Sequence, residues 1–324
     1  MSPLMLAADV LLVALAASAW LVSIATPCVL AACARYAPAD RARLLLRWAL
    51  APWLLAWCAV LLPLMPTLMV SELGLLDWCQ WRHGGDASTC PMHGVAANPN
   101  SLMTLLLFLL GALVLLQLWR TGRALIAGLR AARCLQHACS AQIQLDAQQV
   151  GVVESAQPLA LSLAWPRPQI LVSASVQQQL ALVELQALVA HERAHLERRD
   201  GYWRLLLVVS SAILLPRARD RLRADWDLAV ELCCDELAAQ RTHRLTVAAA
   251  LLSFQRMLLR PSTPAPLMHA FDGCDVALRV RALLQPAAYL PAPRVSLRLW
   301  AVAAVPLAFV LHELGEFLLL PLVR

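Results

Sequence analysis

The chain has 324 residues, of which 60% are hydrophobic and only 15% are charged, and its mean hydropathy is +0.63. Soluble domains are typically about 45–50% apolar and about 25% charged, so this composition excludes an ordinary soluble enzyme. The formal net charge is +6, and every basic residue that contributes to it is an arginine, because the sequence contains no lysine. A basic balance is typical of proteins that meet a membrane surface or nucleic acid, and the positions of the arginines distinguish the two.

Four apolar stretches are long enough to cross a bilayer, which takes about 20 residues. They cover residues 10–34, 48–70, 102–119 and 299–323. Several arginines lie in the loop between the first two stretches, and others come directly after the third stretch. The loop 71–101 carries only Arg82. The positive-inside rule therefore predicts that residues 120–298 are cytoplasmic, and that the loop 71–101 and both termini lie outside. Because the arginines flank the spans and no recognition motif is present, the lipid bilayer and not nucleic acid is the expected partner.

The sequence thus predicts a three-helix transmembrane region over residues 1–119, a cytoplasmic domain over 120–298 and a fourth transmembrane helix over 299–324. Within the cytoplasmic part, β-like runs at 142–145, 150–154, 159–164 and 170–173 precede helical patterns from 183 onward, at 218–241 and at 244–260. The apolar unit 205–216 is too short to span and predicts a buried or membrane-dipping helix. Proline-rich stretches at 261–266 and 286–293 are typical of linkers. The fold class is a mainly α membrane protein with an inserted α+β domain.

An H-E-x-x-H motif, His191-Glu192-Arg193-Ala194-His195, lies on the helix predicted from residue 183. Residues four apart share a helical face, so both imidazoles can reach one zinc ion with Glu192 beside the open coordination position. Zinc makes hydroxide available near pH 7, and Glu192 can accept the proton of the attacking water and pass it to the leaving amine. The motif predicts a zinc peptidase, with a chance match on an exposed helix as the alternative.

A catalytic zinc ion takes three protein ligands, so the two histidines need a third. Glu197 and Asp200 lie too close to the motif to fold back easily. Glu231 is the better candidate, because the apolar unit 205–216 provides a return path that lays its helix against the first.

Asp235, one turn after Glu231, would face the same way and could accept the second N–H of a ligand histidine. The alternative for Asp235 is a solvent-facing or capping carboxylate. Cys233 and Cys234 are expected to be small buried residues and not ligands.

These residues resemble the integral-membrane zinc metallopeptidases of the BlaR/MecR type. The resemblance covers residues 140–260 closely, and the order of three spans before and one span after the protease domain agrees with that family. It runs through the segments RPQILVS at 167–173, LVAHERAH at 188–195, RRD at 198–200, and 231–235, where the family has a Glu followed four residues later by a Cys-Asp pair.

The resemblance implies a zincin-like metallopeptidase domain with Zn²⁺ as its cofactor. His191, His195 and Glu231 would be the zinc ligands, and Glu192 would be the catalytic base. It further implies a membrane-embedded endopeptidase of the bacterial cytoplasmic membrane that transduces a signal by cleaving a cytoplasmic transcriptional repressor of the BlaI/MecI type. The oligomeric state stays open, a homo-oligomer included.

Family members that sense β-lactams carry a penicillin-binding domain after the fourth span, whereas this sequence stops at Arg324 and has no lysine for a Ser-x-x-Lys motif. Covalent β-lactam sensing by this chain is therefore not expected. Two alternative functions are an HtpX-like quality-control protease and a non-catalytic signalling relay. The Cys-Asp pair and the four-span order favour the repressor protease over the first, and the intact motif argues against the second.

Three weaker features concern single residues. Tyr202, His243 and His269 could each stabilise the oxyanion, and spacing does not choose among them. The run 159–164 is either a strand that pairs with an extended substrate or a plain core strand. His312 and Glu316, one turn apart in the last span, are expected to make a polar contact between helices or with water.

The outer loop contains Cys79, His83, Cys90 and His93. In an oxidising compartment the default expectation is a disulfide between Cys79 and Cys90. A metal site that uses all four side chains is the alternative.

Overall fold

A computed structural model of the chain describes residues 3–73, 101–145, 148–165, 167–259, 273–285 and 287–290, together with residues 307 and 310. The protein is mostly helical, with one small mixed sheet. The loop with Cys79 and Cys90, His269, and the pair His312 and Glu316 lie outside the described residues.

Three long helices form the N-terminal part of the protein: α1 (Pro3–Cys33), α2 (Pro38–Leu73) and α3 (Ser101–His137). The segments Asp9–Cys33 and Leu105–His137 are each long and apolar enough to cross a membrane. The stretch 48–70 lies within α2, and the stretch 299–323 is outside the described residues except at positions 307 and 310.

The four β-like runs form one four-stranded sheet. Its strands are β1 (Cys139–Leu145), β2 (Gln148–Val153), β3 (Ala160–Leu163) and β4 (Gln169–Ser173). Their order is β1-β2-β4-β3, with β2 and β4 parallel and the other two pairs antiparallel, so β3 lies at an edge. The prediction of four short strands in this region is confirmed.

Within the described residues, six α-helices follow the sheet: α4 (Ala174–Gln179), α5 (Leu182–Arg198), α6 (Asp200–Ser210), α7 (Pro216–Arg241), α8 (Arg244–Leu258) and α9 (Gly273–Leu284). The helical patterns from residue 183 and at 218–241 and 244–260 correspond to α5, α7 and α8. No element was expected between the two proline-rich stretches, so α9 is an addition to the sequence prediction. It is 12 residues long.

The chain reverses sharply between α5 and α6 at Arg199, whose φ of 59° lies in the left-handed region. The Arg199 backbone N–H still donates to the carbonyls of His195 and Leu196, which closes α5. Helix α6 then runs into a short 3₁₀ turn, Ser211–Ile213, before α7 begins at Pro216. Proline suits the first turn of a helix because its missing N–H needs no partner there.

The apolar unit 205–216 packs along the first two helices. The indole N–H of Trp53 on α2 donates to the Ser210 carbonyl at 2.8 Å, and the Leu215 N–H donates to the Ser23 hydroxyl of α1 at 3.0 Å. Leu207 is buried, whereas Leu215 remains 48% exposed. The unit is therefore only partly buried within the protein.

The largest hydrophobic cluster joins α1, α2, α5, α6 and α7. It includes Leu45 of α2, Ala194 of the H-E-x-x-H motif, and Leu222 and Trp226 of α7. The Arg41 guanidinium of α2 also pairs with Asp225 of α7. The helices of the N-terminal part and the helices that carry the candidate site therefore share one core.

Candidate metal centre

Helix α5 presents both histidines of the motif from one face. Glu184 accepts the backbone N–H of Ala181 at 3.3 Å, which caps the start of this helix. His191 and Glu192 are buried, and the His195 side chain is 16% exposed. The imidazole Nε2 atoms of His191 and His195 lie 3.2 Å apart, as expected for residues one turn apart.

Helix α7 brings Glu231 to the same point. Its Oε2 lies 3.2 Å from Nε2 of His191, and its Oε1 lies 3.5 Å from Nε2 of His195. These three side chains form a group that could hold a metal ion. The structure thus brings together the three residues that the sequence singles out as ligands.

The spacing of these donor atoms fits a small divalent cation. A tetrahedral ion with metal–ligand distances of about 2.0–2.1 Å separates its ligand atoms by about 3.3 Å. The two Nε2 atoms are 3.2 Å apart, and the two Glu231 oxygens lie 3.2 Å from His191 Nε2 and 3.5 Å from His195 Nε2, respectively. Two imidazoles and one carboxylate are also a donor set that proteins use for catalytic zinc.

The outer nitrogen of each imidazole meets an aspartate. Nδ1 of His191 lies 2.9 Å from Asp235 Oδ1, an ion-pair distance without the alignment of a hydrogen bond. Nδ1 of His195 lies 3.0 Å from Asp200 Oδ2. A carboxylate at Nδ1 fixes the orientation of a ligand histidine and leaves Nε2 free for the metal.

Asp200, which the sequence does not favour as the third ligand, lies at the Nδ1 atom of His195. The left-handed conformation of Arg199 turns the chain within one residue and returns the Asp200 carboxylate to His195. Asp200 also belongs to a second group that could hold a metal ion, with His195 and Cys234. The two groups share the imidazole of His195 but use its two different nitrogens, Nε2 in the first and Nδ1 in the second.

An arginine supports each aspartate. The Arg198 Nε–H donates to Asp200 Oδ2 at 3.2 Å. On α9, Arg279 donates to both oxygens of Asp235 at 2.7 Å, and its Nη1 lies 2.9 Å from Glu231 Oε2. Arg279 and Asp235 are almost fully buried, so each provides the countercharge that burial of the other requires.

The charges of this network shift the ionisation of its members. Burial acts to lower the pKa of His191, but its contacts with Asp235 and Glu231 outweigh burial and raise that pKa to about 10. Burial acts to raise the pKa of Glu231, but the Arg279 charge and the hydrogen bond from His191 hold it far below its usual range. The Arg279 pair likewise lowers the pKa of Asp235 against the effect of burial. Without metal, the network therefore holds a proton on His191 between two carboxylates.

Cys233 and Cys234 are buried, as the sequence predicts. Burial raises the pKa of Cys233 to about 11 and the pKa of Cys234 further still, so both thiols stay protonated at neutral pH. The Cys234 thiol donates to Asp200 Oδ2 at 3.4 Å. It therefore adds a third hydrogen-bond donor to the aspartate that holds His195.

Tyr202 and His243, the two candidates for oxyanion stabilisation that lie within the described residues, make contacts outside the candidate metal centre. Tyr202 is 50% exposed on α6, and the exposed ring of His243 caps α8 by accepting the Leu245 N–H at 3.3 Å. Among the described residues, no hydrogen bond joins either side chain to His191, His195 or Glu231. The structure does not bring these two candidates into the centre.

Arg279 is the member of the centre that the sequence does not reveal. It lies 44 residues after Asp235, within Leu278-Arg279-Val280-Arg281, and beyond a proline-rich stretch. Its neighbour Arg281 has the same charge, so no local signal separates the two. Only an amphipathic reading of residues 273–284 as a helix could have placed one of them inward.

Comparison of the chain with protein-family models, with curated proteins and with solved structures gives no match. Its function is therefore inferred from the geometry of these side chains.

Proposed function

We propose that the protein is a membrane-embedded zinc endopeptidase that cleaves a cytoplasmic transcriptional repressor of the BlaI/MecI type. The observation that carries this proposal is that His191, His195 and Glu231 converge, and that an aspartate lies at the Nδ1 atom of each imidazole. Glu192, the neighbour of the first ligand, completes the residues that peptide hydrolysis by this motif requires.

Each side chain of the centre has a distinct task in this proposal. A zinc ion held by His191, His195 and Glu231 would supply Lewis acidity for the attack of water on a peptide carbonyl. Glu192 accepts the proton of the attacking water and delivers it to the leaving amine. Asp235 and Asp200 hold the imidazoles in orientation, and Arg279 and Arg198 donate hydrogen bonds to those aspartates.

The substrate assignment depends on the family resemblance of the motif segments and on the predicted cytoplasmic location of residues 120–298. A repressor is a soluble cytoplasmic protein, so it can reach a centre on that side of the membrane. An HtpX-like quality-control protease would use the same centre on misfolded membrane proteins. The two functions differ in substrate and not in chemistry.

Glu192→Gln tests the proposal directly. The purified full chain is loaded with zinc and incubated with a BlaI/MecI-type repressor, and cleavage is followed by gel electrophoresis. We expect the variant to keep about one zinc per chain and to lose cleavage by about 10²- to 10⁴-fold, because an acid–base group contributes that much. Glu197→Gln is the matched control, since this exposed carboxylate on the same helix pairs with Arg193 and Arg241 and lies outside the metal group.

Two outcomes would redirect the proposal. Cleavage by Glu192→Gln at the rate of the unaltered protein would show that this centre is not the protease. Degradation of an unfolded membrane protein, with the repressor left intact, would favour the quality-control function.

A further inference from the structure

A groove of about 570 Å³ lies between α2 and the junction of α5 and α6. Its walls include Arg43, Arg47 and Leu50 from α2, and Arg198, Trp203 and Leu206 from the opposite side. His191, His195 and Glu231 are not among the residues that line this groove.

The α2 wall changes from basic to apolar along its length. Arg43, Arg47 and Leu50 are three or four residues apart, so they follow one face of the helix. At a rise of about 1.5 Å per residue, this face covers about 10 Å from the first arginine to the leucine. That length is comparable to the depth from a phospholipid headgroup to the first part of its acyl chains.

The opposite wall has the same order of polarity. Arg198 ends α5, and Trp203 and Leu206 follow on α6. Trp203 is 48% exposed and Leu206 is 36% exposed, although both are apolar. An indole between a charged group and an aliphatic surface is typical of the interface between membrane and water.

The apolar end of the groove points toward the part of the protein expected in the bilayer. Four residues beyond Leu206, the Ser210 carbonyl accepts the indole N–H of Trp53, which lies in the stretch 48–70 that is predicted to span. The basic end lies toward the start of α2, on the predicted cytoplasmic side. The polarity of the groove therefore runs in the same direction as that of a lipid in the inner leaflet.

The charge of the groove favours an anion. Arg43 is largely exposed and pairs with Asp40 on its own helix, and Arg47 has no carboxylate partner among the described residues. Arg198 pairs with Asp200, the acidic side chain that lines the groove. The three guanidinium groups thus pair with two carboxylates, Asp40 and Asp200, which leaves an excess of one positive charge. Guanidinium groups bind phosphate oxygens through paired hydrogen bonds.

We propose that this groove binds one anionic phospholipid, with its phosphate among Arg43, Arg47 and Arg198 and an acyl chain along Leu50 and Leu206. The inference relies on the membrane placement in the proposed function and adds a specific lipid site to it. Arg198 also donates to Asp200, which holds His195, so the phosphate would lie next to the support of the metal centre. A soluble anion would use the arginines alone and leave the apolar half of the groove without a ligand.

The test measures lipid retention by the purified full chain in detergent, by native mass spectrometry after incubation with dioleoyl phosphatidylglycerol or dioleoyl phosphatidylcholine. We expect one phosphatidylglycerol per chain to be retained in preference to phosphatidylcholine. The double variant Arg43→Gln/Arg47→Gln should weaken that retention by about tenfold or more, since each arginine near anionic lipid contributes about 1 kcal/mol. Arg198 is left unchanged because it also supports Asp200.

Arg120→Gln/Arg130→Gln is the matched control, because it removes the same charge from exposed positions on α3. The control should retain the lipid as the unaltered chain does. Equal retention of both lipids, or equal weakening in both double variants, would overturn the lipid site. Displacement of phosphatidylglycerol by millimolar inorganic phosphate would also overturn it and assign the arginines to a soluble anion.

Extraction of the same variants from membranes with carbonate separates this inference from the proposed function. If the unaltered chain is released by carbonate, the membrane placement itself is wrong. If the chain stays in the membrane fraction but does not discriminate between the lipids, only the lipid site is wrong.

Discussion

At the scale of single residues, the centre is built as two matching arms. In each arm an aspartate lies at Nδ1 of a ligand imidazole, and an arginine donates a hydrogen bond to that aspartate. One arm consists of His191, Asp235 and Arg279. The other consists of His195, Asp200 and Arg198. Fixing Nδ1 in this way raises the basicity of the ligand nitrogen and prevents rotation of the ring. The centre is therefore organised for a cation by its own hydrogen bonds and ion pairs.

The raised pKa of His191 predicts that zinc competes with a proton. With a pKa of about 10, His191 is protonated at pH 7 in the metal-free protein, whereas a metal ligand must be neutral. Zinc binding at pH 7–8 should therefore release close to one proton from this site, and the apparent zinc affinity should rise about tenfold per pH unit. Calorimetric titrations in two buffers of different protonation enthalpy measure the protons released.

The same shift fixes the sign of the pH dependence of stability. Because the pKa of His191 is raised above its ordinary value of 6.5, its proton stabilises the metal-free fold fully below pH 6.5, and this contribution is lost as the pH rises toward 10. The zinc-loaded protein should not show this loss. His243→Gln, which alters an exposed imidazole, should leave the proton release unchanged. Zinc binding without proton release would contradict the assignment.

Arg279 should matter most when no metal is bound. Arg279→Gln leaves Glu231 and Asp235 without their guanidinium partner, and breaking a buried ion pair costs about 3–5 kcal/mol. We expect a large fall in the unfolding temperature of the metal-free protein and a smaller fall with zinc, which supplies positive charge at Glu231. Thermal unfolding of the full chain in detergent, with chelator or with zinc, measures both.

Arg281→Gln is the matched control for this change, because Arg281 lies two residues further along the same helix and is exposed. It should leave both unfolding temperatures close to those of the unaltered chain. An equal fall for Arg279→Gln with and without zinc would mean that Arg279 only attaches α9 to α7.

The sequence predicts only part of each arm of the centre. Helical spacing is enough to place His191 and His195 on one face, and to place Asp235 one turn after Glu231. Asp200 depends on a left-handed residue that is an arginine, and neither glycine nor asparagine marks the turn. Arg279 depends on how α9 packs against α7, which is a long-range contact without a local pattern.

At the scale of elements, α6 connects the motif to the membrane part of the protein. Leu207 points into the cluster shared by α1, α2, α5 and α7, whereas Leu205 on the same helix is 43% exposed. The helix therefore has one face in the protein core and one apolar face outside it. That arrangement explains why residues 205–216 are apolar except at Ser210 and Ser211, since the outer face would meet lipid in the proposed placement.

Leu207→Ala should destabilise the full chain much more than Leu205→Ala. Truncation of a buried leucine leaves a cavity and costs about 2–5 kcal/mol, whereas the Leu205 side chain has little protein around it to lose. The unfolding temperatures of both variants in detergent provide the comparison. Equal effects would show that both faces of α6 are covered by protein.

The periodicity of apolar residues predicts most of the helices and strands. The differences between prediction and structure have physical causes. The strands and α5, α7 and α8 have clear patterns of apolar spacing, so their existence is predicted well. The boundary expected between residues 119 and 120 falls inside α3, because an arginine-rich amphipathic segment can continue a helix that begins as an apolar span. The amino-acid composition changes at residue 120, whereas the helical backbone continues to His137.

At the scale of the whole molecule, the helices of the N-terminal part are packed directly against the helix that carries Glu231. Small residues on α1 and α2, such as Ala19 and Ala49, bring these helices close to Trp226 and Val230 of α7. The Arg41 pair with Asp225 adds a polar contact six residues before Glu231. A change in the packing of the first two helices would therefore reach a ligand of the centre through contacts and not through a flexible linker.

The positive-inside rule predicts that the centre and the loop 71–101 lie on opposite sides of the membrane, which thiol labelling can test. Cys134, an exposed free thiol near the end of α3, should react with a membrane-impermeant maleimide only after spheroplasts are permeabilised. A cysteine introduced by Ser88→Cys in the loop should react in intact spheroplasts, because the positive-inside rule places it outside. Cys134→Ser identifies the signal of the native thiol against the other cysteines. Labelling of Cys134 in intact spheroplasts would invert the topology and place the centre outside the cell, where a cytoplasmic repressor could not reach it.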